Sequence, residues 1–386
     1  MSNSRQHMQH KKKYEAMTEY MPFYVKEYVR RKESESLSPS TLFNYLKDFE
    51  HFFHWLIVEG FSKAKTIKEI DLEVLEHLPL DDAMYYFDML SNEEIEVSKE
   101  EFTTRKKTSV NRKKSALRSL FKFLTTQTEL KEDDPEKKKK KGEPYFYRNV
   151  MLKVPVNKIK ESLGERSRKI ADSIFIENDD IYFLDFMKNE YEKNLSKVQL
   201  RYFMRDKERD YAILSLFLGS GIRLNELANI RIRDINFRKE TIRVIRKGDK
   251  TDTVQVVQDS LIDLKEYLAI RNERYGGTSA DHEFVFIGKY NGTTSPLSVR
   301  TIQDLVKKYT KVFNDNVALS PHKLRHTYAT NLLETSNDIT HVMEQLGHTS
   351  TTTTMLYVHS TQAKAKRAAD AMSNRRKLIQ SNEPID

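Results

Sequence analysis

The hydrophobic positions in the first third of the chain recur at spacings of three and four residues, the period of an amphipathic helix. The clearest run follows Ser38-Pro39, a helix-start signal, and stops before Gly60. The apolar positions of this run are Leu42, Tyr45, Leu46, Phe49, Phe52, Phe53 and Leu56. Similar runs lie at 17–28, 83–90 and 110–124, and no strand pattern interrupts them. The pattern predicts a small helical bundle over residues 1–130.

The second half of the chain combines helical runs with one β-branched stretch. Helical spacing recurs at 211–218, 261–267 and 301–313. The segments Ile242–Ile245 and Thr253–Val257 are rich in β-branched residues and flank Arg246–Lys250. They predict a β-hairpin with Lys247 near its turn. Residues 173–371 are therefore predicted to form a mainly α domain with a small β-sheet.

A charged segment separates these two regions. Residues 131–172 show no sustained period and include Asp133-Asp134-Pro135-Glu136 followed by Lys137–Lys141. This composition is typical of a linker, so it predicts a hinge between two domains.

The composition is that of a globular protein with a basic surplus. The chain of 386 residues has 66 Lys and Arg against 57 Asp and Glu, and the net charge of +9 suits a polyanionic partner without identifying one. It contains no cysteine, which excludes disulfides and cysteine-ligated zinc. Because no apolar run approaches the length of a membrane span, we expect a cytoplasmic protein without membrane insertion.

The candidate chemistry begins with the motif Pro321-His322-Lys323-Leu324-Arg325-His326. His322 and Arg325 are three positions apart and follow Ser320-Pro321, a helix-start signal, so both side chains project from the first turn of one helix. Tyr357 follows His348 by nine positions. An arginine fork, imidazole donors and a phenolic oxygen are what a phosphoryl-transfer centre needs if it works without a metal.

The order of these residues resembles the signature of the tyrosine recombinases, the phage integrase type, which reads Arg, Lys, His-x-x-Arg, His and a C-terminal Tyr. The matching positions are Arg223, Lys247, His322, Arg325, His348 and Tyr357. Glu226 matches an acidic residue that is common three positions after the first Arg. Within the family, residues 21–25 and 144–151 are most similar to the XerS-type recombinases of Gram-positive bacteria.

The resemblance implies a mainly α fold with a small β-sheet: an N-terminal helical, SAM-like core-binding domain over 1–130, a linker over 131–172 and an α+β catalytic domain over 173–371. These domains would form a C-shaped clamp around DNA, and the tail 372–386 would contact a neighbouring subunit. In the 110–124 helix, four basic residues would lie against phosphates, although a solvated charged face is the alternative. They are Arg112, Lys113, Lys114 and Arg118. The lysine run of the linker either contacts DNA or only keeps the linker soluble.

The resemblance also implies the chemistry. Tyr357 would attack a phosphodiester, form a 3′-phosphotyrosyl bond and release a 5′-hydroxyl, with no metal, cofactor or ATP. Arg223 and Arg325 would stabilise the charge of the transition state. The resemblance favours Lys247 over Lys250 as the acid for the leaving oxygen, and Glu226 would orient a neighbour.

Two further expectations concern the residues before Tyr357. His322 and His348 would donate hydrogen bonds or exchange protons, and which of them acts on the Tyr357 proton stays open. The threonine-rich segment 349–354 is expected to be mobile and partly extended, so that it lets the phenol move.

The expected partner is double-stranded DNA with a specific recombination site, bound by a homo-tetramer on two duplexes that passes through a Holliday junction. The expected role is resolution of chromosome dimers before cell division, with a septal DNA translocase as an accessory partner. The alternatives are an integrase or transposase of a mobile element and, from another class, a catalytically silent architectural DNA-binding protein. A type IB topoisomerase shares the chemistry but not this layout.

Overall fold

The computed structural model describes residues 5–98, 101–134, 139–156, 161–246, 250–276, 283–347, 351–358 and 372–373. The chain divides into two compact units. The N-terminal unit spans Asn3–Lys160, and the C-terminal unit begins at Glu161. Each unit has its own hydrophobic core.

The N-terminal unit contains the four predicted helical runs. Its helices are α1 (Arg5–Glu19), α2 (Phe23–Ser34), α3 (Pro39–Val58), α4 (Leu72–His77), α5 (Leu80–Asn92) and α6 (Lys107–Thr126). Of these helices, α4 and most of α1 were not predicted. The side chain of Ser38 accepts a hydrogen bond from the Thr41 backbone, so the start signal of α3 acts as expected. The single stripe over 17–28 is divided between α1 and α2 at Pro22, because proline lacks the N–H that a continuous helix requires.

A β-hairpin interrupts this bundle between α5 and α6, and the prediction that no strand does so was wrong. Strand β1 (Glu94–Ser98) pairs antiparallel with β2 (Glu101–Thr104), with Ile95 opposite Thr103. Phe102 is 60% exposed. The first strand, Glu94–Ser98, alternates polar and apolar residues, so a usable strand signal was present in the sequence.

The predicted linker over 131–172 is not one connector. Phe146, Val150, Met151 and Val154 are buried in the core of the N-terminal unit. From the lysine run, the described Lys139 pairs with Glu76 at 3.0 Å. Helix α7 (Leu163–Ala171) lies in the C-terminal unit and starts with a capping box. The two units therefore divide near residue 160. The high charge content of residues 131–172 concealed the apolar positions that this segment contributes to the cores.

The C-terminal unit continues with helices that include all three predicted runs. They are α8 (Asp179–Asn189), α9 (Lys197–Ser220), α10 (Leu224–Ala228), α11 (Gln258–Tyr275), α12 (Val299–Phe313), α13 (Pro321–Ser336), α14 (Ile339–Leu346) and α15 (Thr351–Val358). Helix α9 packs against α8, α11 and α13, and its second half is almost entirely buried. The fold class is confirmed as mainly α with small sheets.

The predicted β-hairpin is present as β4 (Thr241–Ile245) and β5 (Thr251–Gln255), with Ile242 opposite Val254. A short strand, β3 (Ile235–Asn236), adds to β4. A second hairpin, β6 (Ile287–Tyr290) and β7 (Thr293–Pro296), was missed. Its turn is Asn291-Gly292, and both residues have positive φ, so the Asn-Gly dipeptide was a usable signal.

The last two features are the C-terminal tail and the absence of a membrane span among the described helices. Of the predicted tail 372–386, the structure describes only Met372 and Ser373. Among the described helices, none combines the length and the hydropathy that crossing a membrane requires.

Candidate active site

The turn between α9 and α10 positions Arg223. Gly221 ends α9 at φ 61°, and a Cβ there would lie 2.4 Å from the Tyr328 ring, so the site requires glycine. Arg223 directly precedes α10, and its backbone N–H donates to a Glu226 carboxylate oxygen at 3.0 Å. The Arg223 guanidinium donates to the other Glu226 oxygen, also at 3.0 Å. The buried Glu226 therefore fixes the direction of Arg223 from two sides.

Helix α13 carries the His-x-x-Arg pair on its first turn, as predicted. Ser320 caps the helix by accepting from the Lys323 backbone, and Pro321 occupies its first position. Arg325 is 3% exposed and donates to the carbonyl oxygens of Gly221 and of Leu346, the latter at 2.6 Å. Arg325 thus joins the end of α9 to the end of α14.

The C-terminal end of α14 is surrounded by guanidinium groups. Its last carbonyls lack partners within the helix and carry the negative end of the helix dipole. Arg246 donates to Leu346 at 2.6 Å and to Gln345 at 3.1 Å, and Arg223 donates to Gly347 at 3.1 Å. Sequence reasoning did not assign Arg246 a role, although it directly precedes Lys247.

Gln345 connects the same helix end to two neighbours. Its side-chain amide donates to the carbonyls of Ser220 at 3.0 Å and Gln255 at 2.7 Å. Its side-chain oxygen accepts from the Gln255 backbone at 3.2 Å. The ends of α9, α14 and β5 are therefore bonded together, and Arg223 and Arg325 are attached to that rigid junction.

Tyr357 lies on α15 and is 1% exposed, packed with Ala329, Leu333, Val342 and Leu346. Its hydroxyl lies 2.7 Å from Nδ1 of His326. The His326 ring meets the His322 ring edge-on, with centroids 4.2 Å apart. His326 was not singled out by the sequence reasoning, but its position one helical turn after His322 was a signal that could have found it.

The charges of this cluster shift the pKa of its members. Burial raises the pKa of Tyr357 to about 12, although the charges of Arg325 and Arg223 act in the opposite direction. Desolvation, Arg325 and Arg223 together lower the pKa of His322, although the residue is exposed, and the shift favours its neutral imidazole. Burial and Arg223 lower the pKa of Arg325 to about 10, which still leaves it a cation at pH 7.

The expectation of an extended segment before Tyr357 was wrong in its described part, because α15 begins at Thr351. Threonine is a weak helix former, but packing overrides that preference here. Thr354 is fully buried, and the buried Ser167 of α7 donates to the Leu356 carbonyl at 2.8 Å. Helix α7 therefore holds the helix that carries Tyr357.

The structure brings four of the six signature residues into one cluster. They are Arg223, His322, Arg325 and Tyr357, with Glu226 beside Arg223. Lys247 and His348 lie outside the described residues, although their neighbours Arg246 and Gly347 belong to the cluster. Within the described ranges, no group of three or more His, Asp or Glu side chains could hold a metal ion.

Of the four basic residues of α6, Lys113 and Lys114 are buried, whereas the Arg112 side chain is 44% exposed. Lys113 and Lys114 are each 6% exposed, and burial lowers the pKa of both. The buried Asp48 pairs with Lys113 at 3.2 Å and with Arg112. Lys114 donates to the Pro155 carbonyl at 2.8 Å, and Arg118 donates to the Met151 carbonyl at 3.0 Å. These cations hold the N-terminal unit together.

Comparison with known proteins places this cluster in a family. The sequence model of the phage integrase family matches residues 186–364, a range that contains all four clustered signature residues. The tyrosine recombinase XerS of Streptococcus mutans is 39% identical over 360 residues, which cover 93% of this chain and 98% of that relative. The chain belongs to the tyrosine recombinases. This recombinase is therefore an enzyme that cleaves and rejoins DNA strands at specific sites, as its signature residues implied.

Solved structures support the fold of the recombinase. XerH bound to its palindromic difH substrate in a post-cleavage complex has a TM-score of 0.56 and 19% identity, covering 87% of this chain and 80% of that one. A lambda integrase dimer bound to a core site has a TM-score of 0.55 and 16% identity, covering 88% and 95%. Both of these neighbours are complexes with DNA.

Proposed function

We propose that Tyr357 is the nucleophile of the recombinase and forms a 3′-phosphotyrosyl bond with the cleaved strand. The observation that carries this proposal is the electrostatic cluster around its hydroxyl. The charges of Arg325 and Arg223 both act to lower the pKa of Tyr357, so they stabilise the phenolate that must form as the oxygen attacks. Helix α13 supplies Arg325 and His322 and packs directly against α15.

Arg223 and Arg325 would bind the non-bridging oxygens of the scissile phosphate. Their N–H groups already converge on carbonyl oxygens of Gly221, Leu346 and Gly347. These carbonyls are acceptors of the same kind as phosphate oxygens, so the donors are ordered before DNA arrives. The side chain of Arg223 is 37% exposed, which makes it the accessible member of the pair. Lys247 would protonate the leaving 5′-oxygen, and His348 would add a hydrogen bond.

Covalent trapping with fragmented DNA from the source cell tests the nucleophile. The wild-type chain should recover protein-linked DNA after denaturation, and Tyr357→Phe should recover none. Tyr290→Phe is the matched control, because Tyr290 is 79% exposed on β6 and should leave trapping unchanged. Trapping by Tyr357→Phe at the wild-type level would exclude Tyr357 as the nucleophile.

We further propose that the recombinase acts as a homo-tetramer on two duplexes and resolves chromosome dimers before cell division, with a septal DNA translocase as an accessory partner. The support is the 39% identity with XerS over 93% of the chain. Sequencing the trapped DNA tests the role. A single chromosomal locus would support it, whereas loci at the ends of mobile elements would favour an integrase or transposase.

A further inference from the structure

The hydrogen bond between Tyr357 and His326 connects the proposed nucleophile to a histidine outside the six-residue signature. The two residues are 31 positions apart, yet the phenolic oxygen lies 2.7 Å from the ring nitrogen Nδ1. We infer that His326 accepts the phenolic proton when Tyr357 attacks the phosphodiester, which makes it a further catalytic residue. This inference rests on the proposed role of Tyr357 as nucleophile.

The buried environment of Tyr357 requires an acceptor within the protein. At 1% exposure its hydroxyl has almost no access to bulk water. Burial also raises the pKa of Tyr357 to about 12, so the phenolate is scarce at pH 7. A positioned base that takes the proton during attack avoids forming a free phenolate first. A hydrogen bond already formed to the base supplies the geometry for that transfer.

His326 fits this role better than the other groups of the cluster. Arg325 has no acceptor atom, and its N–H groups donate to Gly221 and Leu346. Nδ1 of His326 lies 2.7 Å from Oη of Tyr357, whereas His322 meets the His326 ring edge-on and its lowered pKa favours the neutral imidazole. A neutral neighbour leaves His326 able to take up a positive charge without a second imidazolium beside it.

The charged groups around His326 come from a few elements. His322 and Arg325 share α13 with it, Tyr357 faces it from α15, and the charge of Arg223 acts on the same cluster. The titratable groups of α14 and α7 are exposed. They are His341, Glu344, Glu165, Arg166, Arg168 and Lys169. We therefore expect the pH dependence of the site to come from His322, His326 and Tyr357 themselves.

The proton balance of the step is closed. In the tautomer of His326 that carries its proton on Nε2, the proton moves from Oη of Tyr357 to Nδ1, and an imidazolium results. The freed electron pair of Oη forms the bond to phosphorus. The bond from phosphorus to the 5′-oxygen breaks, and that oxygen takes its proton from the acid that we assign to Lys247. In the joining step, the imidazolium returns its proton to Oη.

Single-turnover cleavage tests the inference on a duplex made from the locus that wild-type trapping recovers. His326→Asn retains an acceptor oxygen near the position of Nδ1 but cannot take up a proton at neutral pH. We expect it to form the covalent complex about 100-fold more slowly than wild type. Wild-type cleavage should rise with pH and level off once His326 is neutral, whereas the His326→Asn rate should keep rising. His341→Asn, at an exposed histidine of α14, should match wild type in rate and pH profile.

A substrate with sulfur in place of the bridging 5′-oxygen distinguishes a base that deprotonates Tyr357 from an acid that protonates the leaving group. A thiolate leaves without protonation, so the defect of His326→Asn should persist on this substrate. If the sulfur substrate restored the rate of His326→Asn, the inference would be overturned, because His326 would then act by protonating the leaving group. His326→Ala cleaving faster than wild type would also overturn it, since the contact would then restrain Tyr357.

The same experiment distinguishes this inference from the proposed function. Suppose that wild type traps DNA and Tyr357→Phe does not, while His326→Asn has the wild-type rate and pH profile. The proposed function is then supported, and the inference about His326 is wrong. If wild type forms no covalent complex, both fall. Thermal unfolding of each variant shows whether a lost rate reflects a lost fold, and His326→Asn should unfold within a few degrees of wild type.

Discussion

The guanidinium of Arg246 occupies the space that a side chain at Gly347 would fill. A Cβ at Gly347 would lie 2.3 Å from Cζ of Arg246, and Gly347 has φ 59°. From this position Arg246 donates to the carbonyls of Gln345 and Leu346. Arg246 lies between strand β4 and Lys247, and Gly347 lies between α14 and His348. The pair therefore joins the two chain segments that lead to these signature residues.

Gly347→Ala should reduce cleavage more than it reduces stability. The alanine is strained at positive φ, which costs about 1 kcal/mol, and it also displaces Arg246 from the end of α14. We expect at least a 10-fold slower formation of the covalent complex, measured beside thermal unfolding. Gly292→Ala is the control, because Gly292 has φ 80° and no atom within 4 Å of its Cβ position. Equal cleavage by the two variants would show that the Arg246 contact is dispensable.

Arg246→Lys should also slow cleavage, although it retains the charge. A lysine cannot reproduce the planar fork that bonds Leu346 at 2.6 Å and Gln345 at 3.1 Å. Arg243→Lys is the matched control on the preceding strand β4, because the Arg243 side chain is 53% exposed and pairs with Asp234. We expect a loss of about 10- to 100-fold for Arg246→Lys and little change for Arg243→Lys. Cleavage at the wild-type rate by Arg246→Lys would show that Arg246 contributes only its positive charge at the end of α14.

Arg223→Gln should raise the pKa of both His322 and Tyr357. The positive charge of Arg223 lowers both pKa values, so its removal favours the protonated form of each. NMR titration of the His322 ring and ultraviolet titration of the tyrosinate measure the two shifts. Arg300→Gln, at an exposed arginine of α12, should leave both pKa values unchanged. A fall in either pKa would contradict the electrostatic coupling.

The lowered pKa of His322 also fixes the sign of its effect on stability. Below pH 6.5, the ordinary pKa of a histidine side chain, the unfolded state binds a proton that the folded state does not. The contribution of His322 is therefore present above that pH and is lost as the pH falls through the lowered pKa.

The signature residues could be found from the sequence because short local motifs contain them. A start signal places His322 and Arg325 on one helical turn, and apolar periods locate the long helices. The sequence could not show which carbonyls these groups bond, because Arg246 contacts Leu346 across 100 positions of the chain. His326 was visible one turn after His322, but only the fold brings Tyr357 to it.

The basic residues of α6 show the same difference between local and long-range information. Their charges can be read from the sequence, and a charged helix face is usually solvated or bound to a polyanion. Asp48, which neutralises Lys113 and Arg112, lies on α3, 64 positions away from Arg112. A buried carboxylate on another helix therefore changes the interpretation of Lys113 from a surface cation to a buried ion-pair partner, and the periodicity of the sequence cannot show this.

Lys113→Met should destabilise the N-terminal unit rather than only weaken DNA binding. It leaves Asp48, which is 1% exposed, without one of its two cations, and breaking a buried pair costs about 3 kcal/mol. Lys122→Met is the control, because Lys122 is exposed on the same helix. Chemical unfolding of the full chain measures the difference. If Lys113→Met kept its stability and only reduced the salt dependence of DNA binding, Lys113 would contact phosphate after all.

Ser167→Ala should weaken the support of the helix that carries Tyr357. The Ser167 hydroxyl donates to the Leu356 carbonyl at 2.8 Å, and its loss leaves a buried carbonyl with one donor fewer. We expect about 1 kcal/mol of lost stability and slower formation of the covalent complex, because α7 and α15 pack directly against each other. Ser173→Ala is the control, since the Ser173 hydroxyl donates within its own segment, to the Ile170 carbonyl at 3.1 Å. Cleavage at the wild-type rate by a destabilised Ser167→Ala would show that α7 supports the fold of this unit without positioning the nucleophile.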